Sequence, residues 1–349
     1  MPNVRALQSQ MSVAFLTLAT CLGGAASAAD LPAPEGLSDF LEPDAAWELV
    51  YSAACFTEGI AASAKGDVYF SDIMSSGDCS AEGHQEGAIF KYDAQEKQVS
   101  LFRSPSGQSN GLYMAEDGDL YAAQGADFGG RRISRIDAET GRAHIIAHSF
   151  QGRRLNSPND LTMGPDGLIY FSDPRYAGHE SIEQPIQGVY RVESDGSVSL
   201  VVADAVKPNG IAFSPDGSKL YVAAANDNSS TDYTRHAKDQ PVHAGLMAVL
   251  EYPMNDDGTL GARRILIDYA QVNTFGPDGL NTDKDGNLYV ALFGVDDPGV
   301  YVYSPTGDVI GHLPTGEVWP TNTEFVRDPD GTTYLYMTGG ADLYRIKMK

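Results

Sequence analysis

The chain has 349 residues, of which 42% are hydrophobic and 20% charged, as expected for a globular protein that can bury a large core. Its formal net charge of −23 opposes binding to nucleic acid and to anionic membrane surfaces. We therefore expect no nucleic-acid partner.

The chain begins with a predicted secretory signal peptide, residues 1–28. This stretch contains one charged residue, residues 11–22 are apolar, and residues 26–28 fit a small-residue cleavage site. The apolar stretch is too short to span a bilayer. We expect a periplasmic or secreted mature chain, residues 29–349, that forms a single domain. Lipid attachment at Cys21 is a less favoured alternative, because the residues before it fit a lipoprotein cleavage box poorly.

Two cysteines, Cys55 and Cys79, remain after removal of the signal peptide. An oxidising compartment favours the pairing of two such thiols. We therefore predict a disulfide between them.

A hairpin signature then recurs six times along the chain. Each copy has a turn glycine followed by a β-prone run that usually contains tyrosine, and the copies recur at intervals of 45 to 69 residues. Four-stranded propeller blades have this length, and helical periodicity is almost absent. The sequence predicts an all-β, six-bladed β-propeller with four-stranded blades. The turn glycines are Gly66, Gly118, Gly167, Gly217, Gly286 and Gly331.

The sixth repeat has a hairpin and a third strand, but too few residues follow for a fourth strand. An unassigned strand, residues 46–51, lies before the first repeat. We expect this N-terminal strand to join the last blade, which would close the ring and remove exposed sheet edges.

A polar residue lies eight positions before each turn glycine. The first strand of each blade lines the channel of a propeller, so equivalent positions should lie at one height around the axis. The start of the first strand and the end of the second share one end of an antiparallel hairpin. The loops after the second strands should therefore overhang the same channel mouth. The six polar residues are Glu58, Asn110, Asn159, Asn209, Asp278 and Thr323.

Two carboxylates and three carboxamides around one axis form an oxygen-rich cluster that suits a hard divalent cation. Calcium is the first expectation, with magnesium, manganese and zinc as alternatives. A simpler interpretation is that Asn and Asp at strand starts cap turns and satisfy backbone groups. We favour the metal because the acids Glu58 and Asp278 belong to a set with a fixed register.

Five segments carry a likeness to a known family. They are Thr57–Gly59, Asn156–Asp160, Tyr170–Tyr176, Pro208–Gly210 and Gly276–Gly279. In this order, and over nearly the whole mature chain, they resemble the senescence marker protein, regucalcin and gluconolactonase group of six-bladed propellers.

The resemblance implies a set of metal ligands. In that family the matching Glu, Asn and Asp bind the catalytic metal, which implies Glu58, Asn209 and Asp278 here. The wider group that includes paraoxonases places the matching Asn159 beside the metal or on it. The resemblance assigns no equally clear role to Asn110, so we expect it to contact the substrate or to lie next to the metal ligands.

One position departs from the family pattern. The animal branch has a sugar-contacting arginine where this chain has Ser157, so the sugar contact cannot be transferred. The overhanging loop offers Arg175, Tyr176 and His179 as substrate-binding candidates. Alternatively, Arg175 braces the loop and His179 is an ordinary surface residue.

The resemblance implies a metal-dependent hydrolase that opens a small-molecule lactone, such as a sugar lactone. Asp278 is the candidate catalytic residue, either as a base for water or as a nucleophile. A hydrolase of other esters or organophosphates at the same metal is one alternative. A non-catalytic propeller that binds a ligand or protein is another, as is a propeller of the strictosidine-synthase type. The sequence leaves the oligomeric state open.

Overall fold

A computed structural model describes residues 31–73, 87–225, 246–272 and 276–349 of the chain. These ranges contain 26 β-strands and no α-helix. Accordingly, the described residues include no helix long and apolar enough to cross a membrane. The strands form six four-stranded antiparallel sheets and one short hairpin, which confirms the predicted six-bladed, all-β propeller.

The first three blades each run through four strands in chain order. Strand β1 (Glu48–Ser52) precedes them. The first blade comprises β2 (Thr57–Ala62), β3 (Val68–Asp72), β4 (Ala88–Asp93) and β5 (Gln98–Arg103). The second comprises β6 (Ser109–Met114), β7 (Asp119–Gln124), β8 (Arg132–Asp137) and β9 (Ala143–Ala147), and the short hairpin β10 (Ser149–Phe150) and β11 (Arg153–Arg154) follows it. The third comprises β12 (Leu161–Met163), β13 (Ile169–Ser172), β14 (Val189–Val192) and β15 (Val198–Val202).

The fourth and fifth blades repeat this order, and the sixth contributes three strands of its own. The fourth comprises β16 (Pro208–Phe213), β17 (Lys219–Ala225), β18 (Met247–Pro253) and β19 (Arg264–Asp268). The fifth comprises β20 (Leu280–Thr282), β21 (Leu288–Leu292), β22 (Gly299–Tyr303) and β23 (Val309–Pro314). The sixth contains β24 (Pro320–Arg327), β25 (Thr333–Gly339) and β26 (Asp342–Lys347).

Strand β1 is the outer strand of the sixth blade. It pairs antiparallel with β26, with Leu49 opposite Tyr344 and Ser52 opposite Asp342. The sheet order is therefore β1, β26, β25, β24. The pairing covers one edge of β26, whose backbone groups would otherwise face water.

The first strands of all six blades surround the propeller axis. Strand β2 contacts β6 on one side and β24 on the other, and the remaining first strands contact their neighbours in turn. All six contribute residues to an axial cavity of about 200 Å³. Side chains at the ends of these strands are therefore brought together although their blades are far apart in sequence.

The apolar cores lie between neighbouring blades. Tyr170 of the third blade packs with Leu220 and Val222 of the fourth, and Tyr289 of the fifth packs with Leu335 of the sixth. Both tyrosines are almost fully buried, and burying one large side chain of this kind stabilises a fold by about 1.5–3 kcal/mol. The repeated aromatic residue of the hairpin signature therefore holds adjacent blades together.

Candidate active site

A cleft of about 410 Å³ opens at one mouth of the axial channel. Five of the six polar residues predicted from the repeat line it, and each is only 6–8% exposed. They come from the starts of the first strands or the residues just before them, as the hairpin geometry predicts. They are Glu58, Asn110, Asn159, Asn209 and Asp278.

Thr323 is the exception, because the prediction that it lies at the channel mouth is wrong. It lies in the axial cavity below the cleft, beside Glu324. In the first blade a bulge between Glu58 and Ile60 falls at the polar residue itself. In the sixth blade the bulge lies earlier, between Pro320 and Asn322. Thr323 therefore stays in regular strand and faces the channel interior.

Glycines that follow the cleft residues allow the first strands to approach closely. Gly210 follows Asn209, and its N–H donates to the carbonyl oxygen of Asp278 at 3.1 Å. A Cβ at Gly210 would lie 2.6 Å from that oxygen, which is closer than any side chain tolerates. The backbone contact fixes the distance between two predicted metal ligands. Similar close contacts to the next blade occur at Gly59, Gly111 and Gly279.

In the third blade an aspartate takes the place of this glycine. The Oδ2 atom of Asp160 accepts a hydrogen bond from the N–H of Ile211 in the next blade at 2.9 Å, and Oδ1 accepts one from Leu161 at 2.9 Å. The carboxyl thus links the third and fourth blades directly behind Asn159. Burial raises the pKa of Asp160 to about 7, although both hydrogen bonds act to lower it.

Glu58 and Asp278 form the electrostatic centre of the cleft. Burial raises the pKa of Asp278 to about 8, and the charge of Asp160 adds to the rise while the side chain of Asn209 opposes it. Burial, together with the charge of Asp278, raises the pKa of Glu58 well above its usual range. Two buried carboxyls that repel each other favour the capture of either protons or a cation.

The donor set at this centre fits a divalent cation. Among the described residues, the charges with the largest effect on the pKa of Glu58 and Asp278 are those of other carboxylates. The amides of Asn159 and Asn209 border the same space and can offer oxygen atoms. No three His, Cys, Asp or Glu side chains converge on a metal-binding position in the described part of the chain. A cation would therefore rely on two carboxylates together with amide oxygens, a set suited to hard ions.

Arg175 does not line the cleft, contrary to the substrate contact expected for it. It is 2% exposed. Its guanidinium donates to the carbonyl oxygens of Asn156 at 2.7 Å and Glu180 at 2.8 Å. The arginine therefore braces the loop after β13 against the segment that carries Asn159, as the alternative interpretation proposed.

The two other loop candidates differ in position. Tyr176 lines the cleft, and its hydroxyl donates to the carbonyl oxygen of Lys207 at 3.3 Å. His179 is not among the residues that line it. Its Nδ1 lies 3.2 Å from Oδ1 of Asp127 and its ring stacks on Phe128 with centroids 4.0 Å apart. Only Tyr176 is thus positioned to contact a substrate directly.

Two further predicted positions lie near the cleft. Ser157, which replaces the family's arginine, lines the cleft, and its Oγ accepts a hydrogen bond from the N–H of Ala126 at 2.8 Å. Cys55 is 7% exposed, and its N–H donates to Oδ1 of Asp72 at 2.9 Å. Cys79 lies outside the described residues, so the disulfide stays a prediction.

An aromatic wall that the repeat pattern does not predict borders the cleft. Phe293 and Trp319 stack with ring centroids 5.4 Å apart and line the cleft together with Phe56. Phe293 follows β21 and Trp319 precedes β24, so both occupy loops at the predicted mouth. The hairpin geometry places both loops at this mouth, although it does not indicate which loop side chains face the cleft.

Comparison with known proteins agrees with this fold. The family model described as "SMP-30/Gluconolactonase/LRE-like region" matches residues 56–340. A gluconolactonase of Zymomonas mobilis is 32% identical over 272 residues, which cover 72% of this chain and 70% of the relative. The structure of a Xanthomonas campestris gluconolactonase has a TM-score of 0.71 at 28% identity and covers 93% of this chain and 98% of its own.

A more distant structure shares the fold alone. The calcium-binding protein regucalcin of Agrobacterium tumefaciens has a TM-score of 0.64 at 19% identity and covers 86% of this chain and 94% of its own. The match over residues 56–340 and the similarity to the Zymomonas protein show that the chain belongs to the SMP-30/gluconolactonase/LRE-like family.

Proposed function

We propose that this protein is a metal-dependent hydrolase that opens the ring of a sugar lactone. One observation carries the proposal: the buried carboxyls of Glu58 and Asp278 share a cleft with the amides of Asn159 and Asn209. The similarity to gluconolactonases from two bacteria supports the choice of a lactone as substrate.

These four residues are the proposed metal ligands. A divalent cation bound there would polarise the lactone carbonyl and stabilise the negative charge that develops on its oxygen. Calcium is the preferred ion because every ligand offers oxygen, with magnesium, manganese and zinc as the other ions to test. Asn110 lines the same cleft and is proposed to contact the substrate or to orient Glu58.

Asp278 is the proposed catalytic residue. Its carboxylate would accept a proton from a water molecule as that water attacks the lactone carbonyl carbon. The bond between this carbon and the ring oxygen then breaks, and the ring oxygen takes up a proton, so that the product is a hydroxy acid. In the metal-free cleft, burial raises the pKa of Asp278 to about 8. A bound cation would oppose this rise and keep the carboxylate ionised, as the role of base requires.

Direct attack of Asp278 on the carbonyl carbon is the alternative route. Single-turnover hydrolysis in H₂¹⁸O separates the two. If Asp278 acts as base, all the label enters the hydroxy acid. If it acts as nucleophile, a mixed anhydride forms as the bond to the ring oxygen breaks. Water that opens this anhydride at the aspartyl carbonyl leaves label in the carboxylate of Asp278, which mass spectrometry of the peptide detects.

We further propose that the chain is exported and that Cys55 pairs with Cys79 in the exported protein. The predicted signal peptide supports export, and an oxidising compartment outside the cytoplasm would favour pairing of the two thiols. Mass spectrometry of the secreted or periplasmic protein tests both points. An intact N-terminus would contradict export, and two free thiols in the oxidised protein would contradict the disulfide.

The function is tested by following acid release from a panel of lactones, simple esters and an organophosphate. We expect rapid hydrolysis of D-glucono-1,5-lactone by the wild-type protein and loss of activity in Glu58→Gln. Glu96→Gln, a change at an exposed carboxylate, is the matched control and should remain fully active. Hydrolysis of esters or organophosphates but of no lactone would overturn the lactonase assignment, and no hydrolysis at all would favour a binding protein.

A further inference from the structure

The stacked aromatic pair in the cleft contains a well-exposed tryptophan. The rings of Phe293 and Trp319 are nearly parallel, with an interplanar angle of 21° and centroids 5.4 Å apart. Trp319 is 50% exposed, whereas the chain's other tryptophan, Trp47, is 3% exposed in the core. A large apolar ring held in water beside a buried carboxylate cluster is typical of a ligand-binding surface.

The backbone around Trp319 is held on both sides. The carbonyl oxygen of Trp319 accepts a hydrogen bond from the N–H of Gly340 at 3.0 Å. The carbonyl oxygen of Val318, the residue before it, accepts one from Oγ1 of Thr315 at 2.7 Å. The indole is therefore carried by a backbone segment that is hydrogen-bonded to the sixth blade.

Phe293 connects this ring to the proposed metal ligands. A Cβ placed on Gly276 would lie only 3.1 Å from Cε1 of Phe293, so the phenyl ring packs closely against the segment that leads into Asp278. The aromatic surface therefore begins beside the Asp278 segment and continues outward to Trp319. A substrate with its carbonyl at Asp278 would have the rest of its ring beside this surface.

Polar groups line the cleft from the second and third blades, which lie across the ring from the fifth and sixth. They are Gln108, Asn110, Asp127 and Ser157. The cleft thus offers an aromatic wall and a wall with hydrogen-bonding groups. A sugar lactone has the matching character, since its hydroxyl groups project from the edge of a ring whose C–H face is apolar. The electron-rich face of an aromatic ring attracts such C–H groups.

We propose that Trp319, supported by Phe293, is a specificity-determining residue that stacks on the C–H face of the lactone ring. This inference rests on the proposed function and assigns no chemical step to either ring. Stacking would orient the ring so that its carbonyl points to Asp278 and its hydroxyls point to the polar wall. Acyclic polyols, which lack a flat C–H face, should bind poorly.

Tryptophan fluorescence tests the stacking without relying on hydrolysis. Trp47→Phe leaves Trp319 as the single tryptophan and changes only the core. Titration with 1,5-anhydro-D-glucitol, a stable six-membered ring without a carbonyl, should give a saturable change in emission. D-glucitol, which carries hydroxyls on an open chain, should give none. No response to the cyclic compound, or an equal response to both, would overturn the proposal.

Kinetics with D-glucono-1,5-lactone provides the second measurement. Trp319→Ala should raise KM about tenfold, which corresponds to the loss of one aromatic contact, and should leave kcat within about twofold. Trp319→Phe should retain most of the affinity, and Trp47→Phe should behave as wild type. An unchanged KM in Trp319→Ala would overturn the stacking role. Absence of hydrolysis by wild type would instead contradict the proposed function, while the fluorescence titration would still decide whether Trp319 binds a sugar ring.

Discussion

The carboxyl groups of Glu58 and Asp278, from the first and fifth blades, interact electrostatically across one cleft although each is only 6% exposed. The charge of Asp278 raises the pKa of Glu58, and the charge of Asp160 raises the pKa of both. Such an arrangement is unfavourable for the folded chain on its own, because each ionised carboxylate raises the cost of ionising the other. A bound divalent cation would remove that cost.

The stability of the metal-free protein should fall as the pH rises. Burial raises the pKa of both Asp160 and Glu324 to about 7, whereas such groups titrate near 4 in an unfolded chain. The folded state therefore binds more protons than the unfolded state between about pH 4 and 7. The resulting stabilisation is complete below pH 4 and is lost as the pH rises through 7.

Urea unfolding in EDTA at pH 5 and pH 8 measures this loss. Glu324→Gln has no titratable group at this position. Between pH 5 and pH 8 its free energy of unfolding should therefore fall by about 2–3 kcal/mol less than that of the wild type. Equal falls for the variant and the wild type would show that Glu324 ionises normally in the folded state.

Arg175→Ala should reduce stability more than substrate affinity. The change leaves the carbonyl oxygens of Asn156 and Glu180 without their charged donor in a buried position, which should cost about 2–4 kcal/mol in the free energy of unfolding. We expect KM for the lactone to stay within about twofold. Arg153→Ala, a change at an exposed arginine, serves as control. A raised KM with unchanged stability would restore Arg175 as a substrate contact.

Gly210→Ala should displace a proposed metal ligand without touching its side chain. The new methyl group would lie 2.6 Å from the carbonyl oxygen of Asp278, and relieving this overlap should cost about 1–3 kcal/mol of stability. Because Asp278 must shift, metal affinity measured by calorimetry should fall as well. Gly261→Ala is the matched control, since a Cβ there meets its nearest atom at an ordinary 3.5 Å. Unchanged metal affinity in Gly210→Ala would mean that the backbone contact does not position the ligand.

The periodicity of the sequence was sufficient to predict the fold and most of the cleft. A polar residue lies at a constant offset of eight positions before each turn glycine, and this offset places Glu58 and Asp278 at one channel mouth. Thr323 shows the limit of this argument. The position of a β-bulge within a strand changes which residue faces the mouth, and no residue of the sixth repeat marks that position.

Loop side chains were harder to predict than strand side chains. The direction of Arg175 depends on carbonyl oxygens supplied by two other segments, and a local motif contains no information about them. Trp319 illustrates a related difficulty, because an aromatic residue in an all-β chain can pack in a core or face a ligand. Only its exposed ring beside Phe293 distinguishes the two cases.

The central claim is that Glu58 and Asp278 hold a divalent cation required for lactone hydrolysis. Its most direct test is calcium titration of EDTA-treated wild type, Glu58→Gln and the control Glu96→Gln, with hydrolysis of D-glucono-1,5-lactone assayed at each point. We predict that calcium restores activity in wild type and control with one ion bound, and that Glu58→Gln binds it at least about 100-fold more weakly and stays inactive. Full activity of the metal-free wild type, or equal calcium affinity in Glu58→Gln, would contradict the claim.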